Sequence, residues 1–154
     1  MLYEKTKQYS KIGLFRHAHN TWHKIVNEIL NKISRTQNKI VLDYGCGKGF
    51  HSIEKESTAN HIIGIDISEA SINIANQLVN KLKSSAEYFV MNCEKTDFND
   101  NYFDVILDYG TFSSLDMTRA LPEIIRILKP DGYLVAIETY GHNPFTNFKR
   151  WINV

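Results

Sequence analysis

Cysteine, proline and charge imbalance are all scarce in this sequence: 154 residues hold two cysteines and three prolines, and the formal net charge is +1. Two cysteines, Cys46 and Cys93, cannot staple a small disulfide scaffold, and three prolines exclude a collagen-like or proline-rich chain. A near-neutral balance gives no general pull toward nucleic acid or an anionic membrane. No run approaches the roughly eighteen apolar residues that a membrane-spanning helix needs, and the opening MLYEKTKQYS carries no apolar targeting segment. The expectation is a reduced, cytoplasmic protein.

What is present is an ordinary globular composition, 43% hydrophobic and 23% charged. A chain of this length buries about 70% of its extended surface, enough for one core, so residues 1–154 are expected to form a single domain. Charge is unevenly placed. Residues 1–40 carry eight Lys or Arg against two Glu, and the remainder carries ten against fifteen acidic residues. A solvated helix face accounts for this asymmetry.

Trp22, Ile25, Val26, Ile29, Leu30 and Ile33 recur at spacings of three and four, which predicts a helix over about 21–33. KIVLDYG, HIIGIDIS, a segment at about 87–91, YFDVILDYG and a segment at about 133–138 read as five buried strands. Helices are predicted between them at about 50–57, 69–82 and 118–128. Ser68 is placed to cap the second of these, with Ile72, Ala75, Leu78, Val79 and Leu82 facing inward. Leu121, Ile124, Ile125 and Leu128 form the expected inner face of the third, which Pro130 and Gly132 should end. Strands alternating with helices imply a parallel sheet covered on both faces, with ligands bound beyond the carboxyl ends of its strands. Asn143 and Pro144 read as the start of a short last helix.

The chemistry concentrates in Asp43-Tyr44-Gly45-Cys46-Gly47-Lys48-Gly49, where alternate glycines stand between a strand and a helix and allow close backbone approach. Asp66 follows the next strand, at the distance expected of a carboxylate that accepts both ribose hydroxyls. The dinucleotide pattern requires glycine at position 50, where Phe50 stands, and a phosphate-cradling Walker loop fails because Lys48 is not followed by Ser or Thr. Asp43 at the head of the loop suits a ligand with positive charge better than one with phosphate.

VLDYGCGKG joined to IIGIDIS, with MNCEKTDFNDNYFDVILDYGTFSSLD and RILKPDGYLVAIE downstream, resembles the class I S-adenosylmethionine-dependent methyltransferases of the small-molecule type. The resemblance covers about residues 38–150. It implies a Rossmann-like α/β fold with parallel strand order 3-2-1-4-5 and S-adenosylmethionine as cofactor. It places Asp43, Gly45, Cys46, Gly47 and Gly49 around the amino-acid end of the cofactor and Asp66 on the ribose. Ile67, Asn92 and Cys93 would lie toward the adenine, and Asp108 at the end of the fourth strand. Asn92 stands where relatives often carry Asp, and its amide oxygen still accepts a hydrogen bond. Cys46 and Cys93 are read as small packing residues.

Residues 1–35 are then expected to act as lid and helix, 38–138 as cofactor-binding core and 139–154 as a terminal tail or helix. Only sixteen residues follow Glu138, so the expectation is a sheet truncated after the fifth strand, its edge covered by the tail, a homodimer partner or another protein. Candidates for proton abstraction are Asp108, Tyr109 and His142. Tyr9, Glu138 and Tyr140 are candidates for the lid or substrate side, while Trp22 is explained equally well by packing. His17, His19 and His23 lack the accompanying ligands of a metal site, and no metal is expected. The function expected is methyl transfer to a small-molecule acceptor. The alternative is a binding module without independent catalysis, and a nucleotide-dependent oxidoreductase ranks third.

Overall fold

A computed structural model describes residues 13–33, 39–58 and 60–137. Tyr9, Glu138, Tyr140, His142 and the helix expected after Asn143 lie outside the described residues, as does the tail expected to cover the fifth strand.

The element order is α1 (Gly13–Ile33), β1 (Lys39–Tyr44), a 3-10 helix (Ile53–Thr58), β2 (Asn60–Asp66), α2 (Glu69–Leu82) and β3 (Glu87–Val90). Then follow β4 (Phe103–Tyr109), a short 3-10 turn (Phe112–Ser114), α3 (Met117–Ile127) and β5 (Leu128–Ile137). All pairings are parallel, as the alternation of strands and helices predicts, and the strand order is β3-β2-β1-β4-β5, as the resemblance implies. No helix among the described residues is long and apolar enough to cross a membrane.

Alternation along the strands builds the two layers. Val41, Ile62, Val105, Leu107 and Val135 face the side occupied by Trp22, Val26 and Leu30 of α1 and by Ile72 and Ala75 of α2. Leu42, Ile63, Ile65 and Ile106 face the opposite side, against Ile124 and Ile127 of α3. Glu123 of α3 receives hydrogen bonds from Arg126 and Thr96, which hold its carboxyl down to about 2 and fasten the loop after β3 to the helix.

Several expectations are corrected. Helix α1 begins eight residues earlier than expected, and Ile25 is exposed despite lying in the apolar stripe. The helix expected at 50–57 is a single 3-10 stretch, with Lys55 N–H bonded to the Ser52 carbonyl at 2.8 Å. Two polar residues of the segment turn inward, whereas Glu54 is exposed: Ser52 is fully buried, and Lys55 Nζ donates to Asn27 Oδ1 at 2.9 Å. Ser68 does cap α2, but Leu82 is exposed at its end. The face of α3 is rotated, since Ala120, Ile124 and Ile127 are buried whereas Leu121 and Ile125 face outward. Pro130 and Gly132 do not separate α3 from β5. They occupy a bulge inside β5, where the register passes from Phe103↔Leu128 to Val105↔Tyr133.

Candidate functional site

The carboxyl ends of β1, β2 and β4 bring together Asp43, Asp66 and Asp108, each for a different local reason. Asp43 sits in the second-last position of β1, 3% exposed. Ser52 hydrogen-bonds one part of its carboxylate, while Oδ2 is buried with no hydrogen-bond partner. Burial pushes the carboxyl up to about 6, against the pull of Ser52. An orphaned carboxylate oxygen of this kind is a costly feature for packing alone, and it supplies a negative contact for a cationic group.

Asp66, at the end of β2, is half-buried and uses both oxygens. Oδ2 accepts from the Gly47 N–H at 2.9 Å, and Oδ1 from the Ser68 N–H at 2.8 Å. The carboxylate therefore joins the glycine loop to the start of α2, with lone pairs left on both oxygens for hydroxyl donors. Ile67 beside it is 74% exposed, an apolar side chain standing open at the sheet's carboxyl edge.

The loop glycines serve different ends. At Gly45 a Cβ would lie 2.1 Å from Thr111 Oγ1, and that hydroxyl donates to the Gly45 carbonyl at 3.3 Å, locking the β1 loop to the turn after β4. Gly49 lies under the Tyr88 ring, whose hydroxyl donates to the Gly49 carbonyl. Gly47 has φ +52°, and nothing lies within 4 Å of where its Cβ would be. That open space beside Asp66 is the cradle of the loop.

Cys46 and Cys93 are buried, and burial pushes both thiols up, Cys93 to about 12. Thiols held protonated in this way are packing groups and not nucleophiles. Tyr44 Oη donates to the Cys93 carbonyl, which fixes the backbone after β3 against β1. Asn92 is exposed, and its Oδ1 accepts from the Glu94 N–H at 2.8 Å in a local turn. Glu94 Oε1 accepts from the Asp116 N–H at 2.8 Å at the start of α3.

Asp108 is fully buried, with Oδ1 accepting from the Thr111 N–H at 3.1 Å and its carbonyl accepting from Trp22 Nε1 at 3.1 Å. It shapes the turn after β4. Tyr109, the next residue, stacks on His51 with centroids 4.4 Å apart. Trp22 is 2% exposed and belongs to the core, although its indole reaches this end of the sheet.

Sequence reasoning did not anticipate the Asp43, Ser52 and Tyr88 chain, the Thr111 lock or the His51–Tyr109 stack. Ser52 and Thr111 carried no signal beyond a hydroxyl following the glycine loop or β4. His51 was visible as a histidine next to that loop.

The parallel order with a glycine loop after β1 and an acidic residue after β2 is that of the class I S-adenosylmethionine-dependent methyltransferases. The sequence matches the family described as Methyltransferase domain over residues 42–136, and the chain belongs to that family. It is 36% identical over 104 residues to the demethylmenaquinone methyltransferase of Lactococcus lactis, an alignment covering 64% of this chain and 41% of that protein. It is 34% identical over 123 residues to phosphoethanolamine N-methyltransferase 1 of Arabidopsis thaliana, covering 77% of this chain and 24% of that one. The chain thus spans less than half the length of either of these relatives. Among solved structures it is similar to a SAM-dependent methyltransferase from Aquifex aeolicus, with TM-score 0.65 and 28% identity over 73% of this chain and 62% of that one.

Proposed function

We propose that the chain binds S-adenosylmethionine across the β1 and β2 ends and transfers its methyl group to a small-molecule acceptor. The observation that carries this reading is the pairing of the unpartnered buried Asp43 Oδ2 with the open Gly47 cradle, whose amide is held by Asp66. The bound cofactor supplies an electrophilic methyl on a sulfonium.

In this reading residues 38–138 act as the cofactor-binding core. Asp43 accepts from the amino-acid end, and Gly45, Cys46, Gly47 and Gly49 shape the backbone around it. Asp66 takes the ribose hydroxyls while its charge is shared with two amides. Ile67 and the Asn92–Cys93 backbone border the adenine. Asp108 serves by holding the β4 turn, which leaves Tyr109 as the described side chain of that turn best placed toward an acceptor. The relatives named for demethylmenaquinone and for phosphoethanolamine have chemically unlike acceptors, so their names do not select one for this chain.

Titration calorimetry with S-adenosylmethionine tests the reading and its electrostatics together. The free carboxyl of Asp43 titrates near 6, and only its ionised form attracts a cation. Affinity is therefore expected to be constant from pH 8 to 7 and to fall below about pH 6, approaching tenfold per pH unit for one proton. Asp43→Asn should bind weakly at pH 7.5 with a flat profile. No binding by the parent at any pH rejects the function, whereas binding without this slope rejects the role of Asp43. Binding without transfer to any acceptor would favour the non-catalytic module.

Gly47→Ala separates cradle from scaffold. The methyl meets open space, so only the left-handed backbone conformation penalises it, at about 1–2 kcal/mol. Cofactor affinity should drop at least about tenfold, because the methyl enters the space the ligand needs. Unchanged affinity in a folded variant removes Gly47 from the site.

A further inference from the structure

A buried hydrogen-bond chain runs from Asp43 under the glycine loop. Ser52, fully buried, bonds the Asp43 carboxylate. Its Oγ lies 2.9 Å from Tyr88 Oη, where either atom can donate, and Tyr88 Oη lies 3.2 Å from the Gly49 carbonyl. The chain thus has three contacts, while its two hydroxyls own one proton each. Only a proton on Asp43 turns all three into hydrogen bonds at once: Asp43 donates to Ser52, Ser52 to Tyr88 and Tyr88 to Gly49. With Asp43 ionised, its charge draws the Ser52 proton. The Tyr88 proton must then point at Ser52 Oγ, since two oxygen lone pairs facing each other at 2.9 Å repel. The Gly49 contact is the one given up, and that carbonyl is not stranded, because the Ile53 N–H donates to it at 3.2 Å.

Resting on the methyltransferase reading above, we propose that Tyr88 is a positioning residue for the cofactor: its hydroxyl turns from the Gly49 carbonyl to Ser52 when a bound ammonium displaces the proton from Asp43, and so couples the charge of Asp43 to the grip of β3 on the glycine loop. The Asp43 O–H bond breaks, its proton passes to solvent, and the carboxylate accepts a hydrogen bond from the ammonium. The ring itself stays seated, since a Cβ at Gly49 would lie 2.7 Å from Tyr88 Cζ, and only the hydroxyl proton rotates. Asp43 is faced by the Asp66 carboxylate from β2, the Cys46 thiol of the loop, the Cys93 thiol after β3 and the Tyr88 phenol. Burial holds both thiols and the phenol protonated, and the Asp66 charge adds to the upward push on Asp43.

Proton counting separates this role from packing. S-adenosylhomocysteine, which keeps the ammonium and lacks the sulfonium, is titrated calorimetrically into the full chain from about pH 5 to pH 8. The parent profile should bend near pH 6. Tyr88→Phe keeps the ring over Gly64 and removes the hydroxyl. The Tyr88–Ser52 bond exists in both forms of Asp43, so its loss cancels to first order, while the Tyr88–Gly49 bond exists only in the protonated form. The midpoint should therefore fall by about 0.5–1 pH unit, with affinity at pH 8 within about twofold of the parent. In a Ser52→Ala chain Tyr88 bonds Gly49 whatever the charge on Asp43, and adding Tyr88→Phe should leave the midpoint where Ser52→Ala sets it. NMR of 13C-labelled aspartate, with the Asp43 signal assigned from Asp43→Asn, reads the same midpoints without ligand. An unmoved or raised midpoint in Tyr88→Phe overturns the proposal, as does an equal loss of affinity at every pH or the same shift in the Ser52→Ala background. A parent that binds S-adenosylhomocysteine at no pH sinks the underlying methyltransferase reading instead, and the inference with it.

Discussion

Trp22→Ala is expected to lower the unfolding free energy by about 3–5 kcal/mol, the range for removing a buried tryptophan. The indole is 2% exposed, packs in the core cluster with Val26, Leu30 and Val105, and contacts the rings of His23, His51 and Tyr109. Truncation also leaves the buried Asp108 carbonyl without the donor at 3.1 Å. Trp22→Phe divides the two contributions: it retains most of the packing and loses the N–H, so it should cost about 1–3 kcal/mol. Urea unfolding followed by circular dichroism measures both. A loss below about 1 kcal/mol for the alanine variant would show that α1 is not fastened to the sheet through this residue.

Asp66→Ala should weaken S-adenosylmethionine binding by about a hundredfold, two charge-assisted hydrogen bonds being worth that much or more. The loss has two sources. Ribose hydroxyls lose their acceptor, and the Gly47 and Ser68 amides lose the carboxylate that fixes loop and helix start relative to each other. Asp66→Asn tells them apart, because its one carbonyl oxygen satisfies one amide while its NH2 group opposes the other. Its affinity should fall between parent and alanine variant. Calorimetry on folded protein is decisive, and equal dissociation constants for Asp66→Ala and the parent would remove Asp66 from the site.

The strands and the glycine loop were readable in the sequence because they rest on strong local signals, whereas the strand order came from the resemblance to the class I methyltransferases. Apolar runs ended at glycine or aspartate, and Ser68 preceded a clear helical stripe. The rotated face of α3 was not readable in the same way. The large residues Leu121 and Ile125 suggest one stripe, but the buried ridge includes the small Ala120, which periodicity cannot weigh against them. The 50–57 segment differs for another reason: Ser52 and Lys55 are drawn inward by tertiary partners, which local sequence does not reveal. At the site, Asp43, Asp66 and the glycines were visible by type and spacing. The hydrogen-bond chain through Ser52 and Tyr88 joins positions 36 residues apart and leaves no local trace.

The Tyr88 ring ties β3 to the glycine loop, and it lies directly over the middle of β2. A Cβ at Gly64 would sit 2.3 Å from Tyr88 Cδ1. The glycine at 64 is therefore a condition for the ring at 88: any side chain at 64 evicts the ring, and the Gly49 carbonyl and Ser52 hydroxyl then lose their common partner. Position 64 can take a side chain only if position 88 gives up its ring, and with it the footing of the loop.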